Sequence, residues 1–234
     1  MPFAARAFRA SFSVSLVTWH CLDAVRVIAP CYSPAMQRAI FQLKVTLIDT
    51  DPPVWRRILV PAEYTFADLH HTLQDAMWWT DSHLHQFFTA PPFERNTSYK
   101  RISLPMPDID LPDEEKALDE RKEKLSKWLA KPKDAVFYEY DFGDGWMHEV
   151  KLEKMVPAQS NERYPQLVDG ANACPPEDCG GPGGYARLRE VLAHPDDDEH
   201  NDMLEWLGID EPQEFDPARF DPRQVVFRSV KKRK

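Results

Sequence analysis

Ile40-Phe-Gln-Leu-Lys-Val-Thr-Leu-Ile48, Asp49-Thr-Asp-Pro-Pro53, Val54-Trp-Arg-Arg-Ile-Leu-Val60 and Thr65-Phe-Ala-Asp68 lie close together, and their order decides the fold class. The first run alternates apolar with polar or small residues, as a half-buried strand does when successive side chains face opposite ways. The Asp/Pro interval is turn chemistry. Val54–Val60 predicts a second strand, so the two runs predict a hairpin. Thr65 can then cap a helix, with Asp68 completing a box beside the helix's positive end. Phe66, Leu69, Leu73, Ala76 and Met77 recur at helical spacing and give that helix an apolar face to lay on the sheet.

Leu84–Phe88 predicts a short third strand. The strand–strand–helix–strand order resembles half of a β-grasp (ubiquitin-like) fold. Asp113–Leu129 carries Leu118, Leu125, Trp128 and Leu129 among many charges and predicts a mostly exposed helix. Ala135–Tyr140 and Trp146–Met155 flank a Gly-rich turn and predict a second hairpin. Short helices are expected at 184–192 and 201–207, and a last strand at 224–227. The whole reads as α+β, with a mixed or antiparallel sheet and packed helices. The 21 prolines against 8 glycines favour short elements on stiff connections.

Residues 1–36 differ, with three arginines against one aspartate and no sustained apolar period. A secretory signal, a transit peptide and a leader upstream of a start at Met36 compete; the regular pattern beginning just after Met36 favours the leader. Three segments are therefore expected: an extension at 1–36 that packs little, a folded domain at 37–230, and a basic tail at 231–234. The net charge of −9 disfavours binding to nucleic acid phosphate, except through that tail. No apolar run approaches a membrane span, and four cysteines without a disulfide framework suit reducing cytoplasm.

Two loops carry the chemistry. Asp141-Phe-Gly-Asp144-Gly-Trp146-Met-His148 has turn-forming Gly143-Asp144-Gly145, and on a strand Trp146 and His148 share a face. Its Asp-Phe-Gly matches the metal-binding tripeptide of protein kinases, but a phosphate loop and a catalytic loop are missing, which rejects that reading. Cys174-Pro-Pro-Glu177-Asp178-Cys179-Gly-Gly-Pro-Gly-Gly-Tyr185 places two thiols in a stiff turn before a helix start that could hold an anion. His83 and His85 form a third candidate, two apart on a strand. The tentative metal set, with zinc as the ion, is His83, His85, His148, Cys174 and Cys179. Against it stand packing roles for the thiols and a half-buried or surface role for each histidine. Asp141, Asp144, Trp146, His148, Glu177, Asp178 and Tyr185 are expected to form a ligand or structural site. The acidic stretch 195–202 reads as a solvated loop capping the next helix.

Asp-Phe-Gly-Asp-x-Trp-x-His at 141–148, Glu177-Asp-Cys-Gly-Gly181 with Gly184-Tyr185, Trp79-x-x-x-His83-Leu-His85-x-Phe87 and Pro53-x-Trp55-Arg56 together resemble the plasmid pRiA4b ORF-3-like family. The resemblance covers roughly 38–229. It implies an α+β fold, and some members are known as transposon passenger proteins; no activity comes with it. Two functions follow as expectations. One is a non-catalytic accessory module that binds a protein or small ligand. The alternative is a metal-dependent hydrolase or nuclease-like enzyme using His83, His85, Asp144 and His148.

Overall fold

The computed structural model describes residues 38–105 and 116–228. The expected extension at 1–36 and the basic tail at 231–234 lie outside those residues. The first hairpin is β1 (Ala39–Leu47) with β2 (Trp55–Pro61), followed by α1 (Phe66–Met77) and β3 (His85–Phe88). Then come β4 (Arg101–Ser103), β5 (Leu118–Asp119), α2 (Leu125–Trp128), and the second hairpin, β6 (Ala135–Tyr140) with β7 (Trp146–Pro157). β8 (Gln166–Ala171), α3 (Gly181–Ala193) and α4 (His200–Leu207) complete the regular elements. All eight strands form one sheet in the order β5-β4-β3-β6-β7-β1-β2-β8, antiparallel except for β4 with β5. The α+β expectation holds. The β-grasp-like element order is present, but β6 and β7 lie between β1 and β3, so the second hairpin forms the middle of the sheet.

Register explains the core. Phe87 pairs with Tyr138, Tyr138 with His148, and His148 with Leu47, giving one row across four strands. A neighbouring row runs Val136, Val150, Val45 and Arg56. All of these side chains are buried. α1 lays Phe66, Leu69, Leu73, Ala76 and Met77 into the same core, each large apolar chain contributing about 1.5–3 kcal/mol. Its start is the expected capping box: Thr65 N donates to Asp68 Oδ2 at 2.9 Å, and Asp68 N donates to Thr65 Oγ1 at 3.3 Å.

Arg56 was not foreseen as a core residue. Its guanidinium donates to the carbonyls of Ala76, Trp55 and Ala171 and lies 3.9 Å from the Phe220 ring. Burial lowers its pKa to about 10, so it stays charged at neutral pH. It ties α1, β2 and β8 together at one point.

Two expectations fail. The helix at 113–129 is absent from the described part, which holds β5 and the single turn of α2. The backbone there is committed elsewhere: Phe66 N donates to Glu123 O and Ala67 N to Glu120 O, satisfying free donors at the start of α1. Leu125 N and Ser126 N donate back to Tyr64 O and Ala62 O. The strand at 224–227 is instead a 3₁₀ turn at Pro222–Gln224 and an extended end, which Arg228 anchors on α1 through Asp75. β4 and β8 were missed; β4 is only three residues long and β8 carries polar Gln166 and Asp169 with a glycine at 170.

Candidate functional site at the hairpin turn

The turn between β6 and β7 organises the site. Asp141 adopts a left-handed backbone (φ 57°), and its Oδ1 accepts from Gly143 N at 2.9 Å and Asp144 N at 3.4 Å. Gly145 N closes the turn on Asp141 O at 2.6 Å. So Asp141 holds the turn. Asp144 reaches across to the second loop, where its Oδ2 accepts from Gly180 N at 3.1 Å. The backbones meet closely there: a Cβ on Gly181 would lie 2.1 Å from Asp144 O, and one on Gly184 would lie 1.8 Å from Cys179 O. Only glycine fits at either position. The start of α3, read above as an anion site, is therefore packed against the hairpin turn.

Trp146 and His148 do share the inward face, and Trp79 covers both, its ring centre 5.8 Å and 5.4 Å from theirs. Trp79 Nε1 donates to Pro175 O at 3.0 Å, and Tyr140 stacks on Trp79. Glu177 fastens the assembly. It accepts from Tyr140 OH at 2.6 Å and from Thr80 N and Oγ1 at 2.8 and 2.7 Å. Trp79, Tyr140 and Thr80 belong to the site and were not singled out as site residues from sequence. The Trp79-x-x-x-His83 spacing was the available signal for the first.

Two motif side chains, His148 and Tyr185, are buried too deeply to bind anything in solvent. His148 Nδ1 lies 3.2 Å from Tyr138 O and Trp146 O, while its Nε2 is buried without a partner. Burial lowers its pKa to about 4, so the ring is neutral. The hydroxyl of Tyr185 is likewise buried and unpartnered. Cys174 and Cys179 are free thiols packed against the core. Burial pushes the Cys179 pKa up to about 12 and raises that of Cys174, which leaves both thiols poor nucleophiles.

The two motif histidines part company. His85 Nε2 pairs with Glu120 at 2.8 Å, and its ring stacks on His70 with centroids 3.5 Å apart. His70 in turn contacts Tyr138 OH through Nδ1 (2.8 Å) and Asp81 through Nε2 (2.7 Å). A carboxylate only accepts, so Nε2 carries the proton and Tyr138 donates to Nδ1, itself accepting from Gln74 Nε2. Burial, with the adjacent His85, lowers the His70 pKa and keeps that ring neutral. Arg228 completes this block at Asp81 Oδ2, 3.1 Å away.

His83 turns the other way. Its Nδ1 lies 3.6 Å from Asp141 Oδ2 and its Nε2 lies 3.1 Å from Asp178 Oδ1. One ligand atom from each of His83, Asp141 and Asp178 falls within 4.8 Å of the others. Among the described residues the only other such group is His70, His71 and Asp81. Of the metal set expected from sequence, His83 alone joins such a group among the described residues; His85, His148, Cys174 and Cys179 do not. Asp141 N donates to Leu84 O at 2.9 Å, so exposed Leu84 (58%) and Phe142 (46%) flank the group.

Residues 39–224 match the family described as plasmid pRiA4b ORF-3-like protein. The chain belongs to that family. A Sinorhizobium fredii relative, the uncharacterised protein y4hQ, is 38% identical over 174 residues, spanning 74% of this chain and 83% of its own. The crystal structure of MM3350 from Methanosarcina mazei, a protein of unknown function, matches with a TM-score of 0.68 and 37% identity. That match covers 81% of this chain and 99% of MM3350. Within this member of the pRiA4b ORF-3-like family, three of the motifs that carry the resemblance, at 79–87, 141–148 and 177–185, interlock around Trp79, while Arg56 of the fourth reaches the end of α1 at Ala76 O. Among the described residues no helix is long and apolar enough to cross a membrane.

Proposed function

We propose that this pRiA4b ORF-3-like chain is an accessory binding module, carried by a plasmid or other mobile element, that recognises a protein or small ligand. Its contact point is His83, Asp141 and Asp178 with the flanking Leu84 and Phe142. One observation carries this reading. Asp144 and Glu177 are spent holding the loops to one another and His85 is paired with Glu120, whereas this group combines part-exposed charge with exposed apolar surface. Charge beside apolar area on a braced scaffold suits recognition. The hydrolase alternative needs His85 and His148 beside His83. The burial of His148 and the pairing of His85 with Glu120 speak against that.

A thermal-shift survey of the full chain with metal ions, nucleotides and peptides tests the proposal. A ligand that raises Tm in the wild type and not in Phe142→Ser or Asp178→Ala supports it. Equal shifts in all three proteins, or His85-dependent turnover of model phosphodiesters, would overturn it.

A further inference from the structure

The geometry points to a zinc site built by His83, Asp141 and Asp178, with the ion taking one imidazole nitrogen, Asp141 Oδ2 and one oxygen of Asp178. This deepens the binding-module reading and rests on it. The donors come from three separate segments: the run before β3, the β6–β7 turn and the loop before α3. The segments brace one another through Tyr140, Asp144 and Glu177. Asp141 uses Oδ1 on its own turn, which leaves Oδ2 facing His83. Asp178 has a left-handed backbone (φ 62°) between Glu177, clamped on Tyr140 and Thr80, and Cys179-Gly180, held by Asp144.

The spacing suits coordination better than hydrogen bonding. At 3.6 Å, Nδ1 and Asp141 Oδ2 are too far apart for a good hydrogen bond. They are near the edge of a tetrahedron with bonds of about 2.0–2.2 Å, roughly 3.4 Å. Nε2 is shielded from solvent, yet it has no partner in hydrogen-bonding geometry even with Asp178 Oδ1 at 3.1 Å; the two ring nitrogens point apart, so the ion takes one of them and the other pairing is given up. Two carboxylates and one imidazole are a donor set for zinc or manganese, not for a thiol-seeking ion. Three protein ligands would leave a coordination position open, and Asp178, with 67% of its side chain exposed, leaves a way in.

The charge balance points the same way. In the His70–His71–Asp81 group the chain supplies its own cation, because Arg228 pairs with Asp81 and with Asp75. Among the described residues no lysine or arginine pairs with Asp141 or Asp178.

The test is zinc binding by the purified full chain after chelator treatment, measured by equilibrium dialysis with metal analysis. Asp178→Asn and His83→Gln are assayed in parallel. About one equivalent per chain is expected, with affinity at least ~10-fold weaker in either variant and the metal-free Tm of Asp178→Asn unchanged. Cobalt substituted into the site should give ligand-field bands without intense thiolate charge transfer. No retained zinc, binding indifferent to both variants, or a thiolate signature would each overturn the site. If zinc fails while another ligand still stabilises the wild type and not Asp178→Ala, the metal is wrong and the binding module stands.

Discussion

Two groups of histidine and aspartate are built from α1 and the run between α1 and β3, with the second also drawing on the β6–β7 turn and the loop before α3, and their partners differ. The His70 ring is stacked on His85 and shielded, His71 stays exposed, and Arg228 closes the group at Asp81. Around His83 the same residue types stay part-exposed and have no chain-supplied cation among the described residues. The difference is a matter of partners, not composition. His83 and His85, only two residues apart, went to opposite groups because Glu120 and His70 capture one and the hairpin turn captures the other. A closed group stabilises the fold, and an open one keeps unused binding capacity.

The comparison breaks most visibly at its closed end. Replacing His70 by Ala removes packing, leaves Tyr138 OH without its acceptor and takes one of its partners from Asp81. A loss of about 3 kcal/mol is expected by urea denaturation, from cavity and unsatisfied hydrogen-bond costs together. A loss under about 1 kcal/mol would mean that the network is not closed.

Acid should act on the same side of the molecule. The folded-state pKa of His148 is depressed to about 4 by burial, against about 6.5 unfolded. Its contribution is therefore complete above pH ~6.5 and is lost as pH falls toward about 4, at up to about 1.4 kcal/mol per pH unit. The lowered pKa of His70 has the same sign. Urea midpoints should fall between pH 7 and pH 5, and His148→Phe should flatten that slope. An unchanged slope in the variant would show that His148 is not neutral and buried.

Arg228→Ala tests whether the closing cation matters. Arg228 is partly exposed, so the expected cost is only about 1 kcal/mol, reduced further by salt. The sharper outcome would be new zinc affinity at His70, His71 and Asp81 once the guanidinium is gone. The smallest effect belongs to the open group: Asp178→Asn should change the metal-free stability by less than about 0.5 kcal/mol. A larger loss would mean that Asp178 is a structural residue.

The first hairpin, the capping box and the apolar face of α1 were legible because local periodicity and capping carry them. The second hairpin was legible for the same reason. Residues 116–129 were not, since their conformation is set by the start of α1, some 60 residues away in sequence. Periodicity cannot register that dependence. In the site, the motifs identified the three loops, and same-face spacing placed Trp146 with His148. Alternation could not separate His83 from His85, because His83 lies before the strand begins. Nor could it show that Glu120, in a run of charges, is buried against His85. Nothing in the strand pattern marked Arg56 as buried, because α1, β8 and Phe220 enclose it only in the fold.

The most direct measurement is a zinc titration followed by the imidazole nitrogen and carbon resonances of the histidines. Only the His83 signals should shift and saturate near one equivalent, while His70, His85 and His148 stay in place. Saturating shifts at His70 or His148, or no shift at His83, would contradict the division into a closed and an open group.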